Sequence, residues 1–243
     1  MTLRLDVLPA ADWADRVADD LAARLRSEPA MRLCLPTGDT PAPVYARLAA
    51  AVQAGAASFA AAEIVALDEY LGLPPGHPAR CAVRLHRELL DLLPAPPAAF
   101  HQIDADDPDP AAAAARLEAT AARGLDLAIL GLGANGHVGL NEPGSGADAP
   151  TRVVRISAAS RRAALERYGA DPAPRAGVTL GVARLLEARE IWLLVTGAGK
   201  ARILARALEA PEGPSCPATW LRRHRSLRAI VDEPAAAALR KRV

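Results

Sequence analysis

This chain is poor in cysteine. Cys34, Cys81 and Cys216 are odd in number and show no CxxC spacing, which argues against a disulfide framework or a zinc knuckle and fits reduced thiols. A long apolar run is also missing. The opening stretch MTLRLDVLPAADWADR carries Arg4, Asp6, Asp12, Asp15 and Arg16, leaving no uninterrupted core for an export signal. No later segment reaches the roughly 20 apolar residues of a membrane span. Charge of one sign is not in excess either: 29 Lys and Arg face 28 Asp and Glu. No nucleic acid or other polyanion is therefore expected as the main partner, and any bound phosphate should be small. A soluble cytoplasmic protein is the expectation. Aromatics amount to 3%, while alanine is abundant. The alanine run at 111–115 follows the turn DADDPDP and reads as a capped surface helix ending at Gly124 rather than as low complexity.

What is present is a set of short apolar runs that end in glycine or a charged turn: MRLCLPTGDT, EIVALDEY, LDLAILGLG, IWLLVTGAGK and SLRAIVDE. Amphipathic helices are expected between and around them at 10–27, 41–54, 79–92, 110–123, 158–168 and 198–209. Alternating strands and helices predict an α/β fold with a parallel sheet covered on both faces, because each parallel return needs a long crossover. The 51% hydrophobic content suffices for one domain spanning 1–243. Every polar cluster follows a strand: Thr37 to Thr40, Asp68 to Tyr70, Asn135 to Glu142, and Gly197 to Lys200. Parallel strands share a carboxyl edge, so these loops should converge on the crevice where open α/β sheets bind ligands.

Two nucleotide motifs fail. GLGANG satisfies G-x-G-x-x-G, but Gly139, Pro143, Gly144 and Gly146 follow where a helix must begin, and no acidic residue sits about 20 positions on. TGAGK lacks the first glycine and the final Ser or Thr of a phosphate-binding P-loop. Lys200 at a helix start still suits a phosphate monoester. PTGDTP offers a second such place, with Thr40 expected as N-cap and Pro41 at the first helical position. By itself this is most simply an ordinary capped helix. His137 alone would most often be structural. No HExxH is present, and a metal site built from His137, Glu142 and Asp68 has little to recommend it. The constellation is stronger than its members.

LPTGDTP, LDEYLGL followed by HP, LGLGANGHVGLNEPGS and VTGAGK, in that order, resemble the glucosamine-6-phosphate deaminases from about residue 31 to IVDEP near the C-terminus. The related 6-phosphogluconolactonases typically continue into an ASLFP-like stretch where this chain has GLNEP. The resemblance implies a three-layer α/β/α Rossmann-like domain and conversion of glucosamine 6-phosphate and water to fructose 6-phosphate and ammonia, with no metal or organic cofactor. It implies His137 as the ring-opening acid and base, with Asn135 and Glu142 orienting it, and Asp68 as the base at C2, made more basic by shielding from water. Thr37, Gly38, Asp39, Thr40, Gly136 and Lys200 match substrate-binding positions. For the clamping arginine, gapless matching gives Glu166 and a one-residue shift gives Arg167; Arg167 is the expected clamp. A lid segment around 155–175 is expected.

Departures from the family pattern are Asn135, where many members have Asp, and Asp39, which replaces a glycine and brings negative charge toward a dianion. Arg152 lacks a basic partner at Val154, so allosteric activation by an acetylated sugar phosphate is not expected. A 6-phosphogluconolactonase and a non-catalytic sugar-phosphate sensor are the rival readings. The epimer at C4 and the oligomeric state stay open, since the family contains monomers and homo-oligomers.

Overall fold

The computed structural model describes residues 2–169 and 171–240. The expected single domain and lid therefore extend past the described residues at positions 1, 170 and 241–243. The strands are β1 (Thr2–Leu8), β2 (Arg32–Leu35), β3 (Glu63–Ala66), β4 (Asp68–Leu71), β5 (Ala99–His101), β6 (Leu127–Gly131), β7 (Arg152–Arg155), β8 (Ala176–Thr179), β9 (Glu190–Val195) and β10 (Ser226–Asp232). The helices are α1 (Trp13–Ser27), α2 (Pro41–Gln53), α3 (Cys81–Glu88), α4 (Pro110–Ala121), α5 (Ala158–Tyr168), α6 (Val182–Leu186), α7 (Ala201–Glu209) and α8 (Glu233–Ala236).

Seven strands form one sheet in the order β1-β10-β9-β6-β2-β3-β5, with every neighbouring pair parallel. Alternation along the strands sorts the core onto two faces. Leu33, Leu127, Ile129, Trp192 and Leu194 pack on one side with α1 and α2, while Cys34, Ala128, Leu130, Ile191 and Leu193 pack on the other with α4 and α7. Each such Leu or Ile, fully buried, contributes about 1.5–3 kcal/mol. These two cores make the three layers. From β2 the chain winds outward through β3 to β5, then returns to β6 and winds the other way. The strand order thus reverses between β2 and β6, and a crevice opens beyond their carboxyl ends.

The run EIVALDEY does not form one strand. Its first half, β3, lies in the parallel sheet, whereas β4 joins a small antiparallel sheet in the order β4-β8-β7. The break at Leu67 is held by Leu180 N–H donating to Leu67 O at 2.9 Å. Helix ends and one expected cap also differ from the expectation. The first helix begins at Trp13 rather than at residue 10, because Pro9 and the turn after it end β1. The third stops at Glu88 and continues only as a 3-10 turn over Leu90–Leu92. Thr40 precedes α2 with helical dihedrals and no side-chain cap bond, so it is not the N-cap in the sense expected; its backbone has already entered the helix.

Candidate active site

A cavity of about 380 Å³ occupies the crevice. It is floored by the turn after β2, the start of β4, the loop after β6 and Lys200, and α5 covers it. Nine of the eleven residues singled out from the sequence line it: Thr37, Gly38, Asp39, Thr40, Asp68, Asn135, His137, Arg167 and Lys200. Glu142 and Gly136 stand behind this wall.

Asp68 owes its position to strand alternation. As first residue of β4 it faces the cavity with Tyr70, while the intervening Glu69 turns the opposite way and is 2% exposed. Glu69 accepts hydrogen bonds from the N–H groups of Cys81 and Ala82, both at 2.8 Å, and so ties β4 to the first turn of α3. The two adjacent carboxylates therefore differ in kind: one supports structure and one is available. Asp68 opens to the cavity but is walled off from bulk solvent. Burial, together with the neighbouring Glu69 charge, pushes its carboxyl up to about 7; a thiol hydrogen bond from Cys81 and the charge of Arg84 pull the other way.

The loop after β6 brings the imidazole into the same cavity. Gly139, at φ +55°, packs so closely that a Cβ there would lie 3.3 Å from Asp68 Oδ2 and 2.9 Å from Thr179 Oγ1. A Cβ on Gly133 would collide with the His137 ring, so that glycine makes the ring's seat. No helix follows GLGANG, in keeping with the failed dinucleotide motif. Asn135 receives the His137 backbone N–H at 3.2 Å and donates to Glu142 Oε2 at 2.7 Å. Glu142 Oε2 stands 3.8 Å from His137 Nδ1, beyond hydrogen-bond range and a charge contact only when the imidazole is protonated. Burial lowers the His137 pKa; Glu142 opposes this and Lys200 adds to it. Neutral imidazole is thus the resting form at neutral pH.

Lys200 completes a 3-10 turn before α7, and its Nζ donates to Leu132 O at 2.8 Å. Asp232 fixes this turn by accepting the Gly197 N–H at 2.9 and 3.0 Å while capping α8 through Ala235. Burial, then the nearby Arg167, lowers the Lys200 pKa. Arg167, from the last turn of α5, meets Asp39 at 3.5 Å across the mouth. The turn itself is held by Gly38 at φ +142° and by Tyr45, whose hydroxyl donates to Pro36 O at 2.6 Å. Arg152, set apart in the sequence, is engaged by Asn141 Oδ1 at 3.0 Å and Ser145 Oγ at 2.8 Å in the loop behind the site.

Sequence reasoning did not single out Arg84, Tyr168, Ser160 or Cys81, all of which line the cavity. Ser160 Oγ lies 3.5 Å from His137 Nδ1, and Arg84 stacks on Tyr168. Among the described residues, no three His, Cys, Asp or Glu side chains group closely enough to hold a metal ion. Nor is any helix among them long and apolar enough to cross a membrane.

A doubly wound sheet with a shielded carboxylate, an imidazole and two cations converging at its strand-order reversal defines an α/β enzyme for a small anionic substrate. The sequence model of the glucosamine-6-phosphate isomerases/6-phosphogluconolactonase family matches residues 8–230, and the chain belongs to that family. It is 38% identical over 245 residues to a glucosamine-6-phosphate deaminase of Rhodopirellula baltica, covering 99% of this chain and 97% of the relative. Identity is 39% over 234 residues to a glucosamine-6-phosphate deaminase of Beutenbergia cavernae, covering 95% and 90%. Among solved structures, a monomeric glucosamine-6-phosphate deaminase superposes with a TM-score of 0.91 at 27% identity, over 97% of this chain and 99% of that one. A 6-phosphogluconolactonase from Thermotoga maritima shares the fold, with a TM-score of 0.76 at 21% identity over 96% and 100%.

Proposed function

We propose that this enzyme converts glucosamine 6-phosphate and water to fructose 6-phosphate and ammonia. The observation that carries the reading is the presence of Asp68 and His137 in one cavity together with the cations Lys200 and Arg167. The phosphate binds to Lys200 and Arg167, against the Thr37–Thr40 turn, and its binding energy holds C1 and C2 in register with the reacting groups. Neutral His137 takes the proton of the C1 hydroxyl and returns it to the ring oxygen, which opens the pyranose. Asn135 and Glu142 stabilise the loop and the charge that His137 carries between these transfers. Asp68 then removes the C2 proton, made acidic by the C1 aldehyde, and the resulting enolamine is reprotonated at C1. Water adds to the C2 imine so formed, and ammonia leaves. No step calls on a metal or an organic cofactor. On this reading the chain acts as one catalytic unit, and α5 is its cover.

Purified protein incubated separately with glucosamine 6-phosphate, galactosamine 6-phosphate and 6-phosphogluconolactone, with ammonia and acid release assayed, tests the proposal. Ammonia from an amino-sugar phosphate is expected, with loss of at least about 100-fold in Asp68→Asn, since removal of a proton-transfer group costs about 10²–10⁴-fold. Acid release from the lactone alone, undiminished in that variant, refutes it.

A further inference from the structure

Arg84 stands in the cavity wall with no part in the reaction just described. It enters from the inner face of α3 at 5% exposure, and both Nε and Nη2 meet Glu88 Oε1, at 3.0 and 2.9 Å. Its guanidinium carbon lies 3.9 Å from the centroid of the Tyr168 ring. Neither ion-pair bond uses Nη1. A buried guanidinium carries a desolvation cost, which an apolar side chain at this position of the helix would avoid. Because its charge is already matched by Glu88, Arg84 adds little net attraction for a dianion. It is better described as a fixed, directional donor.

Its place along the cavity indicates what it faces. On one side its charge acts on Asp68. On the other it supports Tyr168, whose hydroxyl lies 3.9 Å from where a Cβ on Gly38 would sit and whose chain neighbour is Arg167. Arg84 therefore lies between the proton-transfer end and the phosphate end. If the substrate is an amino-sugar phosphate, as proposed above, the stretch between those ends carries hydroxyls at C3 to C5. We propose that Arg84 is a specificity-determining residue whose guanidinium donates hydrogen bonds to the substrate hydroxyl at C3 or C4. Held by Glu88 and Tyr168, it reads that hydroxyl without reorganising.

Steady-state kinetics of the wild type, Arg84→Met and Arg84→Lys with glucosamine 6-phosphate and its 3-deoxy and 4-deoxy analogues test this. A charged donor to a neutral hydroxyl should make the wild type lose about 10- to 100-fold in kcat/KM on at least one analogue. Arg84→Met should lose a similar factor on the parent sugar and nothing more on that analogue, while Arg84→Lys falls between. Penalties that multiply for both analogues overturn the proposal and leave Arg84 a support for Tyr168. Should Arg84→Met fail to fold, as judged by circular dichroism, the Arg84→Lys comparison decides by the same criterion. A wild type that releases no ammonia from the parent sugar instead removes the functional reading on which this rests.

Discussion

At the scale of single residues, Asp68 and Glu69 show how position turns one functional group to two uses. Glu69 is buried and Asp68 is open only to the cavity, and the carboxyl of each is raised from its ordinary value, with desolvation the largest cause in both. Glu69 meets three backbone N–H groups, including that of Tyr70 at 2.7 Å, so its acceptor capacity is used within the protein. Asp68 faces open space. With a pKa of about 7, Asp68 is half ionised near neutrality, which suits a base that must both take and return a proton. Its carboxylate is lost as pH falls, so kcat/KM should drop about tenfold per unit below an apparent pKa near 7, as initial-rate ammonia release from pH 5 to 9 would register. A flat profile between 5 and 7 would remove Asp68 as the ionising base. The motif residues of this site could be read from sequence because glycine, histidine and carboxylate crowd one loop. Arg84 could not: an arginine in an amphipathic segment reads as a solvated face, and only the packing of α3 against β4 reveals that this one points inward.

At the scale of elements, α5 is held chiefly by its ends. Ser157 caps it by accepting the Ser160 N–H at 3.2 Å, and Gly169 closes it at φ +62°. Ala164 is its one buried residue. The same helix carries Ser160 against His137 and Arg167 against Asp39, so fraying at either end loosens a contact at the site. Ser157→Ala should cost about 1 kcal/mol of local helix stability and raise KM roughly threefold to tenfold with kcat little changed. Kinetics, paired with hydrogen exchange confined to 158–168, would check this; an unchanged KM despite faster exchange would uncouple the cap from binding. The strands behind the site were legible because buried parallel strands are continuous apolar runs. β1 escaped notice because Arg4 and Asp6 interrupt it, as suits an edge strand, and β5 because three residues give no period. β7 and β8 are four residues each, and β4 continues the β3 run without punctuation, so the small sheet that aims Asp68 had no sequence signal of its own.

At the scale of the whole molecule, the site opposes the fold that carries it. The carboxyl of Asp68 moves from an ordinary 3.8 to about 7 on folding. A raised acid favours the folded state while it stays protonated; that contribution is complete below about 3.8 and disappears as pH rises through about 7. Near pH 8 the wild type therefore folds around an unfavourable buried charge. At 1.36 kcal/mol per unit the upper bound on this cost is roughly 4 kcal/mol, and partial opening of the cavity to water brings it toward roughly 2. Asparagine has the same shape and no charge, so Asp68→Asn should be inactive yet more stable than the wild type at pH 8, with the difference shrinking as pH approaches 4. Glu69 is common to both proteins, so its own titration largely cancels in the comparison. Urea unfolding midpoints of the two proteins at pH 5 and pH 8 give the measurement. A gap that stays equal at both values would mean that Asp68 ionises as readily in the folded protein as in the unfolded chain, and the shielded base inferred from its surroundings would have to be abandoned.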